Sequence, residues 1–264
     1  MELWHTLCLS AHCIIVSLLS VYGIHRYNLL KLYRRHRREK SEPDTKFSVL
    51  PPITIQLPLY NEFHVAERAI EMATRLDYPR DRLRIQVLDD SNDQTQSLAV
   101  KCCTRLAQRG FNISYKHRNH RSGYKAGALA SGLKNIDSEF ILLLDADFIP
   151  PPDLLKRTIH HFSDPKVGMV QTRWGHLNRS HSLLTRIQSI FLDGHFVIEH
   201  TARSFSGRFF NFNGTAGIWR KEAIINSGGW EHDTLTEDLD LSYRAQLKGW
   251  KFIYLRDIEV PGEV

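Results

Sequence analysis

The chain has 264 residues, 42% hydrophobic and 24% charged, enough for one sizeable domain with a full core. Its net charge of +6 is gathered largely in one N-terminal cluster, and no basic stripe interleaved with aromatic residues runs elsewhere, so a nucleic-acid partner finds no support. Cys8, Cys13, Cys102 and Cys103 lack zinc-ligand spacing and argue against a disulfide framework, which suits a reducing compartment for the soluble part.

From Leu3 to Ile24 there is no Asp, Glu, Lys or Arg, a run long enough to cross a hydrocarbon core of about 30 Å. His5, His12 and several serines dilute it, and a signal peptide or an amphipathic surface helix are the alternatives. A signal peptide wants its basic residues first. Here Arg26, Lys31, Arg34, Arg35, Arg37, Arg38 and Lys40 come afterwards, which places everything after residue 25 in the cytoplasm by the positive-inside rule. The expected plan is a transmembrane helix over 1–25, a basic juxtamembrane linker over 26–52 beside the lipid headgroups, and a soluble domain over 53–264.

Within that domain Ile53 to Leu59 reads as a strand, with Asn61 as the N-cap of a helix marked by Val65, Ala69, Met72 and Leu76. Leu83 to Leu88 is a second strand ending in Asp89 and Asp90, Gln94 to Arg109 a helix, and Asn112 to Lys116 a third strand. A loop with Arg118, Arg121, Gly123 and Lys125 leads into a small-residue helix. Phe140 to Pro152, FILLLDADFIPPP, is the centre of the pattern. Its apolar run reads as a strand buried on both faces, stopped by prolines, with Asp145 and Asp147 at its carboxyl end. Open α/β sheets bind ligands there, and Asp-x-Asp suits a hard divalent cation such as Mg²⁺. A helix to about Phe162 and a strand from Val167 to Thr172 complete a βαβα alternation, the pattern of a doubly wound parallel sheet. Beyond it come a helix over Ser182 to Thr201, a turn over Asn211 to Gly217, a helix from Thr236 and a last strand-like run over Trp250 to Val260.

Each acidic cluster also has a plain reading. Strand-end aspartates cap helices, and Thr236 as N-cap would leave Glu237 and Asp238 in a first turn that favours negative charge. Lys125 between two glycines suits a phosphate at a helix start. A dehydrogenase and a P-loop enzyme are set aside because their glycine motifs are missing. Trp174, Trp219, Trp230 and Trp250 are mostly packing residues, although any of them can stack on a sugar ring.

LPLYNE at Leu57, VLDDSNDQT around Asp89, GYKAGAL at Gly123, DAD at Asp145, FNGTAG at Phe212 and TEDLDL at Thr236 occur in one order and spacing. In these motifs, and in NGTAGIWR, GGW and LKGWKF, residues Ile53 to Val260 resemble the processive family-2 glycosyltransferases, above all plant mannan and glucomannan synthases of the cellulose synthase-like group and their bacterial relatives. The resemblance implies a glycosyltransferase-A fold, a Rossmann-like α/β domain for nucleotide-diphospho-sugars. It implies an inverting hexosyltransferase that moves mannose or glucose from GDP-mannose or UDP-glucose to a growing β-linked polysaccharide, with Mg²⁺ or Mn²⁺. Tyr60, Glu62, Asp89, Asp90, Lys125 and Asp145 then match nucleotide-sugar positions, Asp145 and Asp147 the metal pair with Asp147 the direct ligand, and Asn213, Gly214 and Thr215 the acceptor loop. Asp238 matches the catalytic base, with Thr236 and Glu237 beside it. The partners implied are the nucleotide sugar, a glycan acceptor and the lipid bilayer of a bacterial inner or Golgi-type membrane. Such synthases also carry a Gln-x-x-Arg-Trp motif and further membrane helices that this sequence does not hold, so the expectation is a piece of a longer protein. A non-processive enzyme making a glycolipid and a nucleotide-sugar sensor without turnover are the rival readings.

Overall fold

The structure, a computed structural model, describes residues 2–234 and 236–264, so Met1 of the expected apolar segment lies outside it. Helix α1 runs from Glu2 to His36, and Leu29 is its buried residue among those described. At 35 residues it is about 50 Å long, so it outreaches a hydrocarbon core and carries the basic cluster as its last turns. By length and composition it is apolar enough to span a membrane. It does not stop at residue 25, because Arg34, Arg35 and His36 are compatible with a helix C-terminus.

The domain alternates β1 (Ile53–Leu59), α2 (Phe63–Thr74), β2 (Leu83–Asp89), α3 (Gln94–Gln108), β3 (Ile113–His117), α4 (Tyr124–Leu133) and β4 (Phe140–Leu143). Then come α5 (Leu154–Thr158), β5 (Val167–His176), α6 (Leu183–Asp193), a π turn (Gly194–Glu199) and α7 (His200–Phe205). The last elements are β6 (Gly217–Arg220), α8 (Lys221–Asn226), α9 (Glu237–Leu247) and β7 (Lys251–Gly262). The strands form one seven-stranded sheet in the order β3-β2-β1-β4-β6-β5-β7. The sheet is mixed and differs from the doubly wound parallel sheet that the alternation predicts. β6 runs antiparallel to both β4 and β5, because a chain returning from α7 enters the sheet from the opposite end.

Strand β4 is buried on both faces, as its apolar run requires. Phe140, Leu142 and Leu144 face one apolar layer with α2, α3 and α5, while Ile141 and Leu143 face a second with α4, α8 and α9. Burial of each such side chain contributes about 1.5–3 kcal/mol, so the strand that leads into Asp145 is firmly held in the sheet. Trp219 and Trp230 are buried in the second layer and Trp174 stacks on Phe196 at 4.6 Å, so these three are packing residues.

Asn61 is not the N-cap of α2. Glu62 holds that position, and Asn61 sits at φ 55°, a conformation asparagine tolerates better than most residues. From there it clips two loops together: its N–H donates to Ser91 Oγ (2.8 Å) and its side-chain amide exchanges hydrogen bonds with Asn92. Thr236 does occupy the N-cap position of α9, but its side chain makes no capping hydrogen bond.

Candidate active site

At the carboxyl ends of β1 and β4 the chain gathers its acidic motifs around one glycine. Gly214 lies at φ +78°, a conformation that favours glycine. A Cβ built there would stand 3.3 Å from Asp238 Oδ2 and 3.4 Å from Lys125 Nζ. Lys125, at the head of α4, donates to Asp145 Oδ1 (2.5 Å) and to Gly214 O (3.1 Å). Burial alone would lower its pKa, but Asp145, with Glu237 and Asp238 behind it, raises it, so the ammonium stays charged.

Asp145 is seated by its own backbone, whose N–H donates to Thr215 Oγ1 (2.8 Å). Asp147 follows two residues later, and burial, then the neighbouring Asp145, pushes its carboxyl up. Glu62 reaches the same place from the β1–α2 loop. Burial first, then Asp145 and Asp147, push it up to about 7, and its Oε2 is buried without a partner. Three carboxylates thus crowd one ammonium, a donor set short of positive charge. Burial also raises Asp238, against the lowering effect of Leu239 N–H on Oδ1 (2.8 Å), which leaves Oδ2 as the oxygen turned to Gly214.

Other expected residues have inward duties. Asp89 is fully buried, accepting from Ser91 N–H (2.9 Å) and the Tyr115 hydroxyl (2.6 Å). Asp90 is held by the Arg118 guanidinium through both oxygens (2.7 and 2.5 Å), and Arg118 also donates to Ser122 O and Tyr124 O. That fork fixes the turn before Lys125, and Gly127 is obligatory beneath it, since a Cβ would fall 2.0 Å from Ser122 O. Thr215 is fully buried, so Asn213 is the partly exposed member of the Asn213–Gly214–Thr215 loop. Tyr60 lies at the rim with the Arg121 guanidinium 3.4 Å over its ring. Thr236 is exposed at the mouth and Glu237 lies half-buried beside Asp238.

Sequence reasoning missed Arg118, Tyr115 and the histidines near Asn213. Arg118 stands in a loop already marked by its basic residues, but no spacing rule pairs it with an aspartate 28 residues earlier. Among the described residues other than glycine, Asn61, Tyr124 and Ala216 have positive φ, and all three flank this site. Strain of about 1–3 kcal/mol each persists where surrounding contacts over-determine the backbone, as they do around binding sites. A cavity of about 340 Å³ lined by Lys40, His160, His161 and Arg256 lies elsewhere, at the juxtamembrane linker, and holds none of the converging carboxylates.

A mixed α/β sheet with an Asp-x-Asp at the end of its central strand and a carboxylate on a facing helix defines a glycosyltransferase-A-like fold. The "Glycosyltransferase like family 2" model matches residues 51–262, and the chain belongs to that family. It is 45% identical over 248 residues to glucomannan 4-beta-mannosyltransferase 2 of Arabidopsis thaliana, covering 89% of this chain and 46% of the relative. With glucomannan 4-beta-mannosyltransferase 1 of Oryza sativa subsp. japonica it shares 44% over 241 residues, 88% of this chain and 46% of that one. The chain therefore spans about half the length of the curated relatives it matches. Among solved structures, the mannosyltransferase PcManGT from Pyrobaculum calidifontis, in complex with GDP-Man and Mn²⁺, superposes with a TM-score of 0.73 at 23% identity, over 93% of this chain and 67% of that one. S. aureus TarS follows with a TM-score of 0.59 at 16% identity, over 81% of this chain and 37% of that one, and both likenesses bear on the fold.

Proposed function

We propose that the protein is an inverting, membrane-bound hexosyltransferase that extends a β-linked polysaccharide of the mannan or glucomannan type from a nucleotide-diphosphate sugar, with GDP-mannose the favoured donor. The observation that carries this reading is the convergence of Asp238 and Lys125 on Gly214, with Asp145 bound to the Lys125 ammonium and Asp147 beside Asp145. The glucomannan mannosyltransferase relatives support the mannosyl donor.

In this reading Asp238 Oδ2 accepts the proton of the acceptor hydroxyl as its oxygen bonds to the anomeric carbon. The bond from that carbon to the diphosphate breaks on the opposite face, and the electron pair leaves with the phosphate, so the anomeric centre inverts. Lys125 stands where charge grows on the departing diphosphate and is held there, already cationic, by Gly214 O and Asp145. Tyr60, Asp90 and Glu62 frame the nucleotide side, and Asp89 supports them from inside. Asn213 meets the acceptor with Gly214, and Thr215 braces that loop from below; Thr236 and Glu237 set the approach to Asp238.

Among the described residues no group of three or more His, Cys, Asp or Glu side chains is arranged to hold a metal alone. Asp145 and Asp147 nonetheless fit a divalent cation completed by substrate phosphates, and the orphaned Glu62 Oε2 beside them is what a cation would relieve. When bound, Mg²⁺ or Mn²⁺ supplies charge neutralisation for the diphosphate.

The test uses membranes carrying the natural full-length protein, Mn²⁺ or Mg²⁺, and radiolabelled GDP-mannose or UDP-glucose given separately. We expect polymer from GDP-mannose that a β-mannanase digests, and no label in polymer after chelation of the metal. Label confined to lipid extracts would establish the glycolipid enzyme instead. Donor binding with no transfer would leave a sensor.

A further inference from the structure

The helical run from α6 to α7 is interrupted by the π turn Gly194–Glu199, in which His200 N–H donates to His195 O, five residues back. A regular α-helix turns residues five apart away from each other, whereas an i to i+5 turn brings them together. The imidazoles of His195 and His200 accordingly stand 4.4 Å apart, and both reach Asn213. His195 Nε2 donates to Asn213 Oδ1 (3.1 Å) and Asn211 Nδ2 donates to the same oxygen (2.9 Å), while His200 Nε2 lies 2.7 Å from Asn213 Nδ2 and 3.1 Å from Asn211 O, one ring nitrogen facing both an amide and a carbonyl. Gln171 Oε1 takes the Asn213 backbone N–H (3.2 Å).

The two histidines are differently placed. His200 is fully buried and packs against Phe196, Phe210 and Tyr254, as a core residue does. His195 is 33% exposed, lining a cavity of about 510 Å³ with Tyr22, Leu30, Ile190 and Phe191, where an apolar side chain would serve packing equally well. What packing does not supply is its hydrogen bond to Asn213. His195 is itself anchored: Nδ1 lies 3.5 Å from Glu199 Oε2, which pairs with Arg26 of α1 at 3.0 Å, while Glu199 Oε1 takes Arg203 at 2.9 Å. A polar chain thus runs from the basic end of α1, through Glu199 and His195, to the side chain beside Gly214.

We propose that His195 is a positioning residue for glycan binding: it fixes the Asn213 amide that faces the acceptor, with Glu199 and Arg26 tying that clamp to α1. The proposal rests on the reading that the Asn213–Gly214 loop meets a β-linked glycan, and it does not require turnover. The experiment measures binding of a β-1,4-linked manno-oligosaccharide and, separately, of GDP to the natural full-length protein with His195→Phe and His195→Gln. We expect His195→Phe to weaken oligosaccharide binding by about tenfold, the net worth of one hydrogen bond, with GDP binding unchanged. His195→Gln, which keeps an N–H donor, should recover most of the loss. Equal behaviour of the two variants, a parallel loss of GDP binding in His195→Phe, or wild-type protein that binds no oligosaccharide would overturn the proposal. The expected pattern in a protein that transfers no sugar would uphold it while defeating the transferase reading.

Discussion

In the proposed mechanism Asp238 and Lys125 divide the chemistry between them, and their surroundings explain why each suits its part. A carboxylate in water is a weak base. Burial raises Asp238, and Leu239 N–H engages only Oδ1, so the other oxygen remains free to take a proton. Asp238→Asn keeps the shape and the hydrogen bond from Leu239 but removes the basic oxygen. Transfer should fall by at least about 100-fold, within the usual range for a lost general base, with nucleotide affinity unchanged in a binding titration. Near wild-type transfer by that variant would move the base elsewhere. Lys125 differs in that it also holds the loop, through Gly214 O, so its removal should affect donor binding and acceptor placement together.

At the scale of elements, the π turn and α7 make a pH-sensitive joint. Burial, then the nearby His195, push His200 down to about 3, so it stays neutral in the fold; Glu199, Arg203 and the Asn211 carbonyl also face it. An unfolded histidine titrates near 6.5, so below that pH the unfolded chain binds a proton that the folded chain refuses. Stability from His200 is therefore full above about 6.5 and is lost as pH falls towards 3. At pH 5 the loss amounts to about 2 kcal/mol. Glu199, pushed down to about 2 chiefly by its hydrogen bond with His195, adds the same sign below its ordinary carboxylate range. Thermal melts at pH 7.5 and 5 should show a drop in Tm for the wild type that is smaller in His200→Gln. An equal drop in both would mean that His200 titrates inside the fold.

These same elements show what a linear reading reaches. The strand ending in Asp145 was legible because an uncharged run bounded by Asp and Pro has few other solutions, and the parallel half around it followed from alternating periods. Strand β6 was not, because Gly217–Arg220 is four residues long and its pairing is decided by Ile218 and Trp219 fitting two distant strands. The π turn left no trace in the Ser182 to Thr201 pattern, since one extra residue in a turn shifts the period too little to see. At the site, the motif residues were nameable one by one. That Asp89 and Thr215 face inward while Asn213 stays partly exposed depends on Tyr115, the Asp145 amide and the two histidines, partners fixed only by tertiary structure.

For the whole molecule the decisive question is which side of the bilayer the sheet occupies. Helix α1 has its apolar residues exposed from Leu3 to Ile24, then meets the domain through Leu29, the Arg26–Glu199 pair and Arg256 on Arg37 O. The domain is thus docked on the basic end of the helix, the end the positive-inside rule retains in the cytoplasm. Nearby, α6 leaves Leu184, Ile190 and Phe191 exposed, Ile190 and Phe191 sharing a cavity with Tyr22 and Leu30, so apolar surface continues from α1 onto the domain. In the proposed topology the active site faces the cytoplasm and meets a nucleotide-sugar donor there directly. Protease added to sealed microsomes with their cytoplasmic face outward should therefore remove an epitope placed after Val264 without detergent, while one placed before Glu2 survives until detergent is added. The reverse pattern would put Asp145 and Asp238 on the far side, and the donor would then have to be delivered across the membrane before Lys125 could meet its diphosphate.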